Sequence, residues 1–277
     1  MAVSSWIEIL NLEVKRKVGH IKYALIDFDG TISVIRQGWE DVMIPLMIEM
    51  ICDGNPPTLE IEKEVRDYVD YSTGILTIKQ MEWLAEAVRR HGIAKNPKSP
   101  YEYKRIYTQR LLVRVEQRLE KLRNGELNPD DLMIMGSRNF LEELYKRGVT
   151  MYLASGTDHE YVLREASALR VTQYFKGGIY GALDRTEAHT KERIIQKILD
   201  ENRLRGNELL VVGDGPVEIR NAKSRNAIAL GVATDEVRRC GLNPRKRRRL
   251  INAGADLIIP DFTRYEEIIY FLFKEEH

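Results

Sequence analysis

Tyr23-Ala24-Leu25-Ile26-Asp27-Phe28-Asp29-Gly30-Thr31 decides how the rest of this chain is read. Residues Tyr23 to Ile26 form a short apolar and aromatic run suited to a buried strand. Two carboxylates follow at once, separated by Phe28 and closed by a glycine. This order puts two acids at the carboxyl end of a strand, where the loops of an open α/β sheet diverge and leave a crevice for ligands. The two-residue period of a strand sends Asp27 and Asp29 to the same side, close enough to raise each other's pKa or to share a hard divalent cation. Taken alone, Asp-x-Asp-Gly also suits a simple turn, because Asp and Gly are common turn formers. The residues downstream decide between the two.

Immediately after Thr31 the pattern turns helical and stays so. Val42, Ile44, Leu46, Met47, Met50 and Ile51 fit one helix with a broad apolar face, ended by Asp53-Gly54-Asn55-Pro56-Pro57. Thr58 caps a second helix to about Tyr71, with Glu60, Glu62 and Glu64 near its positive end, and Thr73-Gly74 breaks it. A third helix is expected from Thr77 to Arg90 and a long charged fourth from Pro100 to Arg123, stopped by Asn124-Gly125. Strand patterns return only later, at Thr150 to Ala154, Leu209 to Val212, Ile228 to Val232 and Leu257 to Ile259, alternating with helices. Alternation of this kind argues for a parallel sheet covered on both faces. The fold class is therefore α/β, with an all-helical insertion after the first strand.

The later strands end in residues suited to phosphate chemistry. Tyr152-Leu153-Ala154 runs into Ser155-Gly156-Thr157, a hydroxyl beside a glycine N–H that could hold a phosphoryl oxygen at a helix start. His189-Thr190-Lys191-Glu192-Arg193 opens a helix, and a lysine in a first turn opposes the helix dipole unless an anion lies near. Val211-Val212-Gly213-Asp214-Gly215 delivers a further acid into a glycine-lined turn, with Glu218 four residues on and facing back toward it. Hard oxygen ligands drawn from two strand ends suit Mg²⁺.

In this order, Asp27-Phe28-Asp29-Gly30-Thr31, Ser155-Gly156, Lys191 and Gly213-Asp214-Gly215 with Glu218 resemble the four motifs of the haloacid dehalogenase superfamily, over roughly residues 21 to 262. The helical insertion resembles the cap of its phosphoglycolate-phosphatase-like and β-phosphoglucomutase-like members. The resemblance implies a Rossmann-like parallel-sheet core, residues 1–32 and 131–277, with an inserted all-helical cap domain, residues 33–130. It implies that Asp27 is the nucleophile and Asp29 the general acid and base, with Ser155, Gly156 and Lys191 holding the phosphoryl oxygens. Mg²⁺ would lie between Asp27, the Asp29 main-chain carbonyl and Asp214, with Glu218 orienting its shell. Glu218 departs from the pattern, which usually carries a second aspartate there. Asp29 supplies the second carboxylate that the superfamily's dehalogenases lack.

The activity expected is a Mg²⁺-dependent phosphatase working on a small phosphorylated metabolite through an aspartyl phosphate. Alternatives are a sugar phosphomutase using the same two acids, or a non-catalytic sensor of a phosphorylated ligand. Substrate would be read by the cap, with Arg36, Gln37 and Trp39 after the nucleophile and Thr73, Gly74, Thr77 and Gln80 between cap helices as candidates.

Composition narrows the setting. A formal net charge of +1 gives no global pull toward nucleic acid or membrane. No apolar run has the length of a bilayer span, and no signal-peptide core stands in Met1 to Leu12, so a cytoplasmic protein is expected. Cys52 and Cys240 lie far apart and are expected to be unpaired. Residues 1–20 read as a surface extension against the first strand. Arg245-Lys246-Arg247-Arg248-Arg249 has no interleaved aromatics, so it reads as a solvated helix face, near a partner subunit or drawing in an anionic substrate, rather than as a nucleic-acid patch. Homo-oligomerisation is left open.

Overall fold

The computed structural model describes residues 6–183 and 190–274. The chain opens with β1 (Glu8–Ile9), α1 (Val14–Lys17) and β2 (Tyr23–Asp27). Four helices follow: α2 (Glu40–Cys52), α3 (Leu59–Tyr71), α4 (Thr77–His91) and α5 (Pro100–Arg123). The alternation then resumes with α6 (Ser137–Lys146), β3 (Thr150–Asp158), α7 (His159–Ala168), β4 (Gly178–Ala182), α8 (Lys191–Glu201) and β5 (Leu209–Gly213). It closes with α9 (Pro216–Ser224), β6 (Ile228–Val232), α10 (Pro244–Ala253), β7 (Leu257–Ile259) and α11 (Tyr265–Phe273).

The seven strands form one sheet in the order β1-β7-β6-β5-β2-β3-β4. All pairings are parallel except β1 on β7. β2 lies between β5 and β3, with Ile26 opposite Val212 on one side and Leu153 on the other. Every residue of β5 and β6 is buried, which explains why these strands read as continuous apolar runs rather than alternating ones. Because the three central strands run the same way, their carboxyl ends meet at one edge, where the chain passes from β2 to β3 on one side and later reaches β5 on the other.

Local chemistry sets the helical insertion. Thr58 caps α3 by accepting from the Ile61 N–H, and Ser99 and Glu102 form a reciprocal capping box at α5. Along α5 the buried residues Tyr103, Tyr107, Leu111, Val115 and Leu119 fall every fourth position, a single stripe turned toward α4 and α2. Full burial of such a side chain contributes roughly 1.5–3 kcal/mol. The chain leaves and returns through a narrow neck: the Val34 N–H donates to the Leu132 carbonyl and the Ile134 N–H to that of Ile32.

The structure corrects three expectations. The segment before β2 pairs through β1 with β7 and forms the edge of the sheet, far from β2 in the sheet order. β4, Gly-Ile-Tyr-Gly-Ala, gives no strand pattern because its two glycines interrupt the apolar run. β3 continues through Asp158 across a register shift, so Ser155, Gly156 and Thr157 lie on an irregular strand end and α7 begins only at His159. Cys52 and Cys240 are both unpaired. Among the described residues no helix is long and apolar enough to cross a membrane.

Candidate active site

Asp27 is the last residue of β2 and is buried. Its Oδ1 accepts from Lys191 Nζ at 2.6 Å and its Oδ2 from the Thr31 hydroxyl at 3.2 Å. Lys191 is the first residue of α8, where the dipole disfavours it, and it also donates to Glu218 Oε2 at 3.1 Å. Glu218, in the first turn of α9, uses Oε1 to accept from the Gly215 N–H at 2.8 Å. The anion expected beside this lysine is thus a pair of carboxylates. His189, quoted with Lys191 in the sequence, lies outside the described residues.

Asp27, Asp214 and Glu218 are all buried and each offers a carboxylate oxygen within 4.8 Å of the others. Behind Asp214 stands Lys246, whose Nζ donates to Asp214 Oδ2 at 2.5 Å and lies 2.6 Å from Glu236 Oε1. With every group ionised, Asp27, Asp214, Glu218 and Glu236 share two ammonium groups, Lys191 and Lys246, while Arg249 adds positive charge near Asp214 from its pair with Asp70. The acids in direct contact outnumber the ammonium groups, and buried hard oxygens are the donors that a divalent cation prefers. Protonation follows the same balance. Burial pushes the Asp27 carboxyl well above the usual range, with Lys191 opposing and Glu218 and Asp214 reinforcing. Burial also acts to raise Asp214, but Lys246 and Arg249 outweigh it and hold that carboxyl below its ordinary value. Burial works against the charge of Lys191, yet Asp27 and Glu218 keep it above the usual lysine value.

Asp29 faces a different set of partners. Its Oδ2 accepts from the Ser155 hydroxyl at 2.9 Å and the Thr157 hydroxyl at 3.2 Å, while its Oδ1 is buried without a hydrogen-bond partner. A group that needs a proton acceptor or donor would find one there. Thr157 stands two residues beyond Ser155 on the irregular end of β3, a continuation of the strand that the sequence reading ended at Ala154.

A cavity of about 80 Å³ joins these groups; Asp27, Asp29, Ser155, Gly156, Lys191 and Asp214 form one wall. The helical insertion supplies the other through Trp39, Tyr107, Leu111 and the α3–α4 break at Thr73 to Thr77. Arg36, Trp39 and Thr77 therefore reach the site. Arg36 is not solvated: Nε and Nη2 donate to the two oxygens of buried Glu165 at 3.0 and 2.6 Å, and Nε lies 3.9 Å from Asp29 Oδ1. Gln37 does not line this cavity; its Oε1 accepts from Arg118, and it lines a neighbouring space of about 280 Å³. The break approaches the core very closely. A Cβ placed on Gly156 would stand 2.2 Å from the Ile75 carbonyl oxygen, so only glycine fits under this segment.

The basic run is not the solvated face expected of it. On α10, Lys246 and Arg249 are buried, and Arg249 Nη1 donates to Asp70 at 3.1 Å and to the Thr73 hydroxyl at 2.9 Å. Arg245 pairs with Asp70 and Glu40, and Arg247 with Glu8; Arg248 is exposed and, alone of the five, has no ion pair among the described residues. No local pattern announces this, because the partners lie far away in sequence.

A mostly parallel sheet with an acid at the end of its central strand, a helical insertion after it and a second acid beyond β5 defines a Rossmann-like α/β architecture with an inserted helical segment. The profile of haloacid dehalogenase-like hydrolases matches residues 21–224, and the chain belongs to that family. Among solved structures, a predicted phosphoglycolate phosphatase from Haemophilus somnus is similar with a TM-score of 0.58 at 16% identity, over 90% of this chain and 98% of the other. A β-phosphoglucomutase from Clostridium difficile gives 0.58 at 14% identity, over 92% and 98%. At these identities the likeness is one of fold. A 5'-nucleotidase of Pseudomonas aeruginosa is 35% identical over 95 residues, which span 34% of this chain and 42% of that protein, so under half of that relative is matched.

Proposed function

We propose that the protein is a Mg²⁺-dependent phosphatase that hydrolyses a small phosphorylated metabolite through an aspartyl phosphate on Asp27. The observation that carries this reading is the separation of the two acids. Asp27 stands in a buried cluster with Asp214, Glu218 and Lys191, whereas Asp29, two residues on, is turned to Ser155 and Thr157 with one oxygen unpartnered. Two carboxylates in different surroundings suit two different tasks.

Asp27 attacks phosphorus as the ester P–O bond breaks, and Asp29 gives its proton to the departing oxygen. Asp29 then takes a proton from water, whose oxygen attacks phosphorus and frees Asp27. Lys191, Ser155 and the Gly156 N–H hold the phosphoryl oxygens. The carboxylates of Asp27, Asp214 and Glu218 with the Asp29 main-chain carbonyl would hold Mg²⁺, which when bound neutralises charge on the phosphoryl group. Residues 33–130 serve as the cap, and Trp39, Tyr107 and Thr77 face the leaving group. The position of the acids between the sheet end and the helical insertion supports a small substrate.

Phosphate release from a panel of phosphorylated sugars, acids and nucleotides, with and without Mg²⁺, tests the proposal. Metal-dependent release from one compound class is the expected result. An isomerised sugar phosphate without release would replace hydrolysis by a mutase reaction, and binding without turnover would leave a sensor.

A further inference from the structure

Lys246 is used by no step above, yet with Arg249 it is one of the two buried cations of the basic run. Asn243 caps α10 by accepting from the Arg245 and Lys246 N–H groups, and Pro244 starts the helix, which fixes where Lys246 leaves the backbone. Its side chain is 8% exposed and ends between Asp214 Oδ2 at 2.5 Å, Glu236 Oε1 at 2.6 Å and the Gly30 carbonyl at 3.5 Å. The absent side chain of Gly30 makes room for this arrangement, since a Cβ there would stand 2.4 Å from Asp214 Oδ2. The hydrogen bond recorded for the Asp214 carboxylate comes from Lys246.

We propose that Lys246 is a positioning residue for divalent-cation binding: clamped by Glu236, it holds one oxygen of Asp214 and so fixes the carboxylate's presentation to Asp27 and Glu218. This rests on the reading of Asp214 as a metal ligand. A lone ammonium so close to a ligand would repel a cation. Glu236 cancels that charge, so the pair adds no net charge and leaves an orienting hydrogen bond. Partners of this kind, behind the ligands themselves, commonly account for 10- to 100-fold, on the order of magnitude, in metal affinity.

The test is Mn²⁺ binding without substrate, followed by electron paramagnetic resonance, on the wild-type chain, Asp214→Asn and Lys246→Met, with circular dichroism as the folding control. Wild type should bind one ion, Asp214→Asn should lose it, and Lys246→Met should bind about 10- to 100-fold more weakly at an unchanged fold. The double variant Lys246→Met/Glu236→Gln, which removes the Glu236 charge together with its lysine partner, should show the same weakening and covers the case in which the single variant does not fold. Unchanged or tighter binding in either folded variant overturns the role of Lys246. A wild-type chain that binds no ion, or an Asp214→Asn chain that binds as wild type does, overturns instead the metal-ligand reading on which it stands.

Discussion

Two regions converge on Asp214 from opposite sides, and they are built differently. On one side the ends of β2 and β5 deliver Asp27 and Asp214 by backbone, so that parallel register alone brings them together. On the other, α10 reaches across with long side chains: Lys246 to Asp214, and Arg245 and Arg249 to Asp70 and Thr73 at the end of α3. Placement by backbone is inherited from the fold, whereas placement by side chains must be secured by each partner in turn. The first region should therefore fail through chemistry and the second through geometry and closure.

The sharpest break in that comparison is Asp27→Asn, which keeps shape and removes the nucleophile. Turnover should fall on the order of 10⁴-fold or more, with the melting temperature held or raised, because a desolvated carboxylate is lost. Substantial turnover in the folded variant would remove Asp27 from its role. Next comes Glu165→Gln, which strands the buried Arg36 guanidinium. Denaturant unfolding should show a loss of about 3–5 kcal/mol, the usual consequence of removing one member of a buried pair. A loss under about 1 kcal/mol would mean that water reaches the pair.

Arg249→Met acts on the α10 side, where hydrogen bonds to a charged group typically contribute about 1.5–3 kcal/mol. Steady-state kinetics should show KM and kcat shifting together, as expected when closure rather than chemistry is disturbed. A pure kcat defect would instead place Arg249 in the chemistry. The smallest effect is expected from Arg245→Ala. Its pairs with Asp70 and Glu40 are half exposed, and equilibrium unfolding should move by roughly 0–1 kcal/mol.

The same contrast explains what the sequence made legible. Asp27-Phe28-Asp29 and Gly213-Asp214-Gly215 could be read because strand, turn and acid are neighbours in the chain, and a short apolar run is enough to aim them. The helices after β2 were equally readable, from the Thr58 cap and from the breaks at Thr73-Gly74 and Asn124-Gly125. Arg245 meets Asp70 across 175 positions, and Arg36 meets Glu165 across 129, and no periodicity encodes such pairs. A run of five basic residues looks the same whether it faces water or acids brought by the fold. Composition could balance the charges of the chain but could not say which ones meet.

Gly156 acts as a mechanical stop. The segment at Ile75 lies where a glycine leaves nothing to collide with, so how closely the helical insertion packs on the sheet end is written into a missing methyl group. Adding that methyl would work as a wedge, driving the Ile75 carbonyl and the Gly156 backbone apart.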